Sequence, residues 1–314
     1  MKKILSISLM ALLVAGFSAC KKNNSNSNGL NPFGSTNPTT PTAPAPVDPL
    51  GPMPDAFTKK AVIEEATAAW CGYCPNGAYN MKNAVEANPD RVYGIAYHDG
   101  DVMSDMYDAF TTSSTADLEA RYSISGIPGG VVNRIEASNN YNTWGATAAS
   151  ELSKTPIGGL GIITKKINST MYTIDVHAGF ATTAAPGDEY YLVAYLLEDG
   201  VHKGSQYDQH NYMDGDASSP WYQKGDPMSS ANYVHDHLLR QVLFTQGIWG
   251  TLIPSAKIKA KGEFNVSADI DMSPEYDLNK VSVIAMIVKK GSGAASDYVE
   301  NVQECKLGQI KKWD

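Results

Sequence analysis

Two cysteines separated by two residues stand between a predicted strand and a predicted helix, and this motif constrains the fold most. Apolar patterns predict the strand at Ala61 to Ala66 and the helix at Cys74 to Ala87. The motif reads Trp70-Cys71-Gly72-Tyr73-Cys74-Pro75. Unpaired N–H groups and the positive end of the dipole at a helix start favour a thiolate over a thiol. The position therefore predicts a lowered pKa for Cys71, with Cys74 as the resolving thiol.

Strands and helices alternate from residue 56 to 154, and only strands are predicted after that. The further elements of the first region are a strand at Arg91 to Tyr97, a helix at Thr115 to Tyr122, a strand at Gly130 to Asn133 and a helix at Trp144 to Leu152. The later strands are predicted at Leu160 to Thr164, Tyr172 to Val176, Tyr190 to Leu197, His237 to Phe244, Phe264 to Ile270 and Val281 to Val288. We therefore predict an α/β domain over residues 56–154, followed by an all-β antiparallel sandwich domain over residues 155–314.

The N-terminal segment predicts export and lipid attachment. Residues 1–19 have a basic start, an apolar stretch from Ile4 to Val14 and small residues before Cys20, as in a signal peptide. A cysteine at the cleavage point resembles the lipobox of bacterial lipoproteins, and a plain secretory peptide with an incidental cysteine is the alternative. We predict lipidation of Cys20, which attaches the chain to a lipid bilayer. Residues 20–55, with few large apolar side chains, predict a disordered tether.

Charge and hydropathy exclude nucleic acid as a partner and a membrane-spanning segment after residue 20. The chain has 314 residues, a formal net charge of -8 and no long basic run, so nucleic acid has no electrostatic footprint to bind. No apolar run after residue 20 approaches the roughly 20 residues that cross a bilayer. Cys20 is therefore the only membrane contact that we predict.

The cysteine count favours a redox couple over a metal site. Of the four cysteines, one is predicted to carry lipid, Cys71 and Cys74 form a close pair, and Cys305 stands alone. A close pair in an oxidising compartment is either a stable small loop or a redox couple. Zinc needs a second pair of ligands, and no other Cys-x-x-Cys or Cys-x-x-His occurs. We expect a redox couple with no cofactor, and a buried small residue at Cys305.

Residues 57–150 resemble the thioredoxin superfamily. The resemblance rests on the motif from Trp70 to Cys74, on Glu65, and on the stretch Tyr122-Ser123-Ile124-Ser125-Gly126-Ile127-Pro128. It implies a thioredoxin-like fold in which Cys71 attacks, Cys74 resolves, Pro128 is the cis-proline of the substrate loop and Glu65 relays a proton to Cys74. Substrate contacts are then expected at Trp70, Tyr73 and Ile127.

The whole chain resembles the Omp-twenty-eight-type outer-membrane lipoproteins of Bacteroidetes, which join such a domain to a β-rich region. Two features depart from thioredoxin, namely Gly129-Gly130 after the proline and a longer insertion at residues 98–114. The choice of substrate is therefore not transferred. Lys21-Lys22 in place of an acidic residue favours the outer membrane, and Asn23-Asn24 favours its periplasmic side over the cell surface.

Histidines and carboxylates form two weaker candidate sites. His98-Asp99-Gly100-Asp101, together with Asp105 and Asp108, follows a strand and is expected near the dithiol, where His98 could tune the Cys71 thiolate or donate a proton. We favour a solvated acidic loop there. His235 and His237 alternate along a predicted strand, near His202, Asp208, His210, Asp214 and Asp216. They are weak candidates for zinc, and histidines packed at a sheet edge are the favoured interpretation.

The sequence thus predicts membrane-anchored thiol-disulfide exchange, as an oxidoreductase or an isomerase. The expected partners are exported protein thiols or disulfides and an unidentified redox partner that resets the couple. The alternative is a non-catalytic cell-envelope binding module or adhesin with a vestigial redox motif.

Overall fold

The computed structural model describes residues 48–100, 108–135, 137–202, 204–245, 247–293 and 297–313. The predicted signal peptide, Cys20, most of the predicted tether, Asp101 and Asp105 lie outside these ranges. Within them, no helix has both the length and the apolar character needed to cross a membrane.

The first half of the fold alternates strands and helices, as predicted. Its elements are β1 (Ala61–Thr67), α1 (Cys74–Ala87), β2 (Val92–His98), α2 (Ser113–Tyr122), β3 (Gly129–Val132), β4 (Ala137–Ser138) and α3 (Trp144–Glu151). β1 pairs parallel to β2 and antiparallel to β3. Met81 of α1 and Trp144 of α3 pack on the β1 face that carries Ile63. Leu118 of α2 packs on the opposite face, which carries Val62.

The second half consists mainly of strands. They are β5 (Gly158–Lys166), β6 (Met171–Phe180), β7 (Glu189–Glu198), β8 (Leu238–Val242), β9 (Thr251–Ile253), β10 (Glu263–Asp271), β11 (Val281–Lys290), β12 (Tyr298–Lys306) and β13 (Ile310–Lys311). The six strands predicted after residue 155 are confirmed as β5 to β8, β10 and β11. β4, β9, β12 and β13 are not predicted from the sequence. β10, β6, β5 and β13 form a four-stranded antiparallel sheet in that order.

One mixed sheet of nine strands runs through both halves. Its order is β12-β11-β7-β8-β2-β1-β3-β4, and β9 pairs with β7. β8 is the link, because it pairs antiparallel with β7 and parallel with β2, where Ala96 faces Leu238. The sequence predicts an α/β region and a separate sandwich. The structure instead places a strand of the later region beside β2, through the pair of Ala96 and Leu238, so the two regions share one sheet.

The central strands of this sheet are buried on both faces. Along β7, Leu192 and Ala194 face the four-stranded sheet, while Val193 and Tyr195 face the core that contains β1, β2 and α2. Alternation along a strand sends neighbouring side chains to opposite faces, so β7 serves two cores at once. The four-stranded sheet and the central strands therefore form a two-layer core, and the same strands close the α/β core from the other side.

The end of the predicted tether packs on the outer face of β5. Leu50 is 3% exposed and Phe57 is 6% exposed. A Cβ atom at Gly159 would lie 2.2 Å from Cδ1 of Phe57, and one at Gly161 would lie 2.7 Å from Cδ1 of Leu50. The glycines make the room that these two side chains occupy. The prediction of a disordered tether through residue 55 is therefore wrong from Leu50 onward.

Candidate functional site

Cys71 and Cys74 form a disulfide at the start of α1. Their Cα atoms are 5.4 Å apart. Cys74 is the first residue of α1, and Pro75 occupies the first turn, where a missing N–H costs no helix hydrogen bond. Cys71 is 6% exposed and Cys74 is fully buried, in a cluster with Ala68 and the partly buried Trp70 and Ile127. The predicted placement between strand and helix is confirmed.

The loop before β3 meets the dithiol. The Ile127-Pro128 peptide bond is cis, as the resemblance implied. Ile127 packs against the disulfide cluster. A Cβ atom at Gly77, in the first turns of α1, would lie 2.8 Å from Cβ of Pro128. The proline thus lies against the helix that begins at Cys74.

Glu65 lies beneath the same helix. Its side chain is fully buried, and among the described residues no group hydrogen-bonds to either carboxylate oxygen. Burial raises the pKa of Glu65 well above its usual value, because a charge there would have lost its water without gaining a partner. A Cβ at Gly77 would lie 2.2 Å from Oε1 of Glu65, so the glycine gives the carboxyl group its space.

The two aromatic residues of the motif lie in different surroundings. Trp70 donates from Nε1 to the Asp99 carbonyl oxygen at 3.0 Å. It lines a cavity of about 400 Å³ with Asp99, Glu119 and residues 124–127. Burial, followed by the charge of Asp99, raises the pKa of Glu119 to about 7. Tyr73 is 54% exposed and meets the ring of Tyr212 edge to face, with 5.3 Å between centroids.

A segment from the second half contacts the dithiol loop, and the sequence analysis did not predict it. His210 donates its backbone N–H to the carbonyl oxygen of Ala69 at 2.8 Å, and Tyr212 donates to that of Gly72 at 2.9 Å. Gln209 is 1% exposed, and its Nε2 lies 2.9 Å from the carbonyl oxygen of Cys71. No motif signals this contact, because it joins residues about 140 positions apart.

His98 and Asp108 form a buried pair beside the dithiol loop. Nδ1 of His98 lies 2.8 Å from Oδ2 of Asp108, and both side chains are almost fully buried. The same oxygen accepts the backbone N–H of Ala69 at 2.6 Å. Burial alone would raise the pKa of Asp108, but His98 and the backbone donors hold it below its usual value. The favoured interpretation as a solvated acidic loop is therefore wrong for these two residues.

His235 and His237 have different partners and do not converge on one site. His235 is buried, its Nε2 lies 2.9 Å from the carbonyl oxygen of Tyr207, and burial followed by the charge of His98 lowers its pKa to about 3. His237 has a φ of 56° and lies 3.6 Å from Asp199. Within the described ranges, no group of three or more metal-ligating side chains could hold an ion.

The other polar residues of this region are engaged locally. His202 contacts Asp208 at 2.8 Å and His210 contacts Asp226 at 3.0 Å. Asp214 and Asp216 accept backbone N–H groups of nearby turns. Cys305 is a buried free thiol, as predicted.

Comparisons with known proteins place the chain in an envelope context. The family model described as outer membrane protein Omp28 matches residues 115–311, a range that begins in α2 and leaves out the dithiol. A comparison with curated proteins gives no significant match.

Three solved structures are similar to this chain. HBP35 of Porphyromonas gingivalis is 20% identical, with a TM-score of 0.60 over 82% of this chain and 78% of that one. A protein from Agrobacterium tumefaciens is 11% identical, with a TM-score of 0.48 over 82% and 98%. A domain of the outer membrane lipoprotein Omp28 from Porphyromonas gingivalis is 13% identical, with a TM-score of 0.29 over 48% and 88%. The likeness to HBP35 is a likeness of fold.

Proposed function

Because this chain belongs to the Omp28 family of outer membrane proteins, we propose that it is a lipid-anchored envelope protein that exchanges thiols and disulfides on exported proteins. One observation carries the proposal: the Cys71–Cys74 disulfide begins α1 and packs against the loop of Ile127 and Pro128. This arrangement, with Glu65 beneath the helix, supports a thioredoxin-like unit in residues 56–154.

The reduced form has a direct route to a substrate disulfide. The Cys71 thiolate attacks one sulfur, the substrate S–S bond breaks, and the leaving substrate thiolate takes up a proton. Cys74 then loses its proton and attacks the sulfur of Cys71, which releases the second substrate thiol and forms the Cys71–Cys74 disulfide. The substrate gains two electrons and the protein loses two. A dithiol donor of the envelope restores the reduced form, and the reverse sequence oxidises a substrate dithiol.

Glu65 is suited to move the proton of Cys74. Burial raises the pKa of Glu65 well above its usual value, so the carboxyl group holds its proton more tightly than an exposed glutamate and can exchange it with a thiol. Trp70, Tyr73 and Ile127 surround the disulfide and form the proposed contact surface for the substrate.

The proposed attachment is through lipid on Cys20, with the folded part held away from the bilayer by the residues that follow. The basic pair Lys21-Lys22 and the following Asn23-Asn24 support the periplasmic side of the outer membrane. On that side the dithiol would meet exported proteins as they fold.

The function is tested by reduction of insulin with dithiothreitol as the electron donor. The native chain is expected to accelerate the reaction, and Cys71→Ser is expected to lower the rate to the uncatalysed value because no attacking thiolate remains. Cys305→Ser is the matched control, since that thiol is buried away from the motif. Equal rates for the native chain and Cys71→Ser would replace this proposal with the non-catalytic binding module.

A further inference from the structure

Residues 209–212, called the clasp below, occupy the carbonyl side of the dithiol loop. Gln209 places Nε2 3.1 Å from the carbonyl oxygens of Ala68 and Ala69 and 2.9 Å from that of Cys71. The backbone N–H groups of His210 and Tyr212 complete the contact at Ala69 and Gly72. Donors of the clasp therefore meet every carbonyl from residue 68 to 72 except that of Trp70.

Hydrogen bonds to residues 221–228 hold the clasp in place. Gln209 exchanges two backbone hydrogen bonds with Met228, at 3.1 and 2.7 Å. Asn211 is 1% exposed and donates from Nδ2 to the carbonyl oxygens of Trp221 and Gly225. Its outermost residue is different, because Tyr212 is 57% exposed and its ring is free to leave without opening a core.

The ring of Tyr212 covers Gly72, the first of the two residues between the cysteines. A Cβ atom at Gly72 would lie 2.3 to 2.6 Å from three atoms of that ring. Ile127 and Trp70 pack against the disulfide cluster, and only 6% of Cys71 reaches the surface. A small thiol can approach such a sulfur, but a folded or extended polypeptide needs more room.

We propose that the clasp gates Cys71, admitting a protein disulfide only when Tyr212 lifts from Gly72. The inference rests on the proposed function and deepens it, because it makes Tyr212 a residue that selects substrates by size. Gln209 and Asn211 hold the clasp near the loop while the ring moves, so the gate is local and the fold around it stays closed.

The test is the alkylation rate of Cys71 in the reduced chain, with iodoacetamide as the small reagent and a polyethylene-glycol maleimide as the bulky one. Tyr212→Ala is expected to speed the bulky reagent by about tenfold, which corresponds to removal of a closure of about 1.4 kcal/mol. The rate with iodoacetamide is expected to change much less. Tyr212→Phe keeps the ring and should keep the native rates.

Tyr222→Ala is the matched control. Tyr222 is an exposed tyrosine ten residues after Tyr212, and no contact between it and Gly72 is found among the described residues. Equal bulky-reagent rates for the native chain, Tyr212→Ala and Tyr222→Ala would overturn the gate. That result leaves the proposed function standing, since alkylation needs no turnover. Failure of the function would show separately, as insulin reduction that does not depend on Cys71.

Discussion

At the scale of single residues, Glu65 combines complete burial with an absence of hydrogen-bond partners among the described residues. Such a group is held neutral by its surroundings, so the folded state binds its proton more tightly than the unfolded chain does. The folded protein therefore loses stability as the pH rises above the ordinary pKa of about 4.5, up to the raised value.

Glu65→Gln is expected to remove this loss. The advantage of the variant in free energy of unfolding should grow by about 1.4 kcal/mol for each pH unit above the ordinary pKa, until the raised pKa is reached. Urea denaturation at pH 5 and pH 8, with the disulfide intact, measures the difference. Glu86→Gln on the exposed side of α1 is the control and should follow the native chain. Parallel stability profiles for the native chain and Glu65→Gln would contradict the assignment.

Whether a residue of the site could be predicted from the sequence depends on how far along the chain its partners lie. The dithiol, Glu65 and Ile127-Pro128 could be placed from the sequence, since one motif and one resemblance locate them all. Gln209 and Tyr212 could not, because a buried amide and an exposed tyrosine look like ordinary loop residues until the loop is folded back. The burial of His98 and Asp108 could not be predicted either, because a run of acidic residues does not show which of them turns inward.

At the scale of elements, local pattern was a good guide where the buried residues are apolar. α1 begins and ends at the predicted residues. β12 was missed because its buried positions include Asn301 and Gln303, which are polar. Their partners explain the burial: Asn301 accepts the N–H of Lys60 at 2.9 Å, and the Lys60 ammonium donates to Gln303 at 2.5 Å. A strand whose buried polar side chains are hydrogen-bonded to a distant lysine shows no apolar alternation in the sequence.

The outer face of β5 supports a second prediction. Gly159→Ala is expected to destabilise the native chain by about 1 to 3 kcal/mol, because the new methyl group overlaps the ring of Phe57. In a Phe57→Ala background the same substitution should instead stabilise by about 0.5 to 1 kcal/mol, since alanine restricts the unfolded chain more than glycine does. Urea denaturation of the native chain, the two single variants and the double variant measures the effect of Gly159→Ala in both backgrounds. A loss of the same size in both backgrounds would show that Phe57 is not the obstacle.

At the scale of the whole molecule, a buried ion pair ties distant segments together. Arg134 and Glu64 are both fully buried, with Nε and Nη2 of Arg134 each 2.8 Å from a Glu64 oxygen. Arg134 also donates from Nη1 to the carbonyl oxygen of Ile248 at 2.7 Å, and Tyr97 donates to Glu64 at 2.7 Å. The pair thus connects β1 to the segment before β9.

Removing both partners of this pair should cost less than the sum of the two single losses. Arg134→Met leaves a buried carboxylate without its cation and is expected to lower the free energy of unfolding by about 3 to 5 kcal/mol. Glu64→Gln should also destabilise, and the double variant should lose clearly less than the sum of the two. Urea denaturation of the native chain, the two single variants and the double variant gives the coupling free energy between Arg134 and Glu64. Additive losses would mean that the pair does not act as a unit.

The order of strands in the large sheet was beyond sequence reasoning. Six strands of the second half are predicted from apolar runs, but an apolar run does not indicate which strand it pairs with. β8 carries Leu238 and Leu239, both buried, and the same letters would suit an edge strand of a separate sandwich. Only pairing with both β7 and β2 reveals that the two regions share one sheet.

Because β8 pairs with β2, the edge of β2 can be covered only after β8 has been synthesised. A polypeptide emerging from the ribosome or a translocation pore delivers its N-terminal part first, so Ala96 arrives about 140 residues ahead of Leu238. Until β8 is made, β2 has no neighbour on that side, so its backbone N–H and C=O groups there are open to pairing with other strands. Chains that end before β8 are therefore expected to aggregate more readily than the full chain.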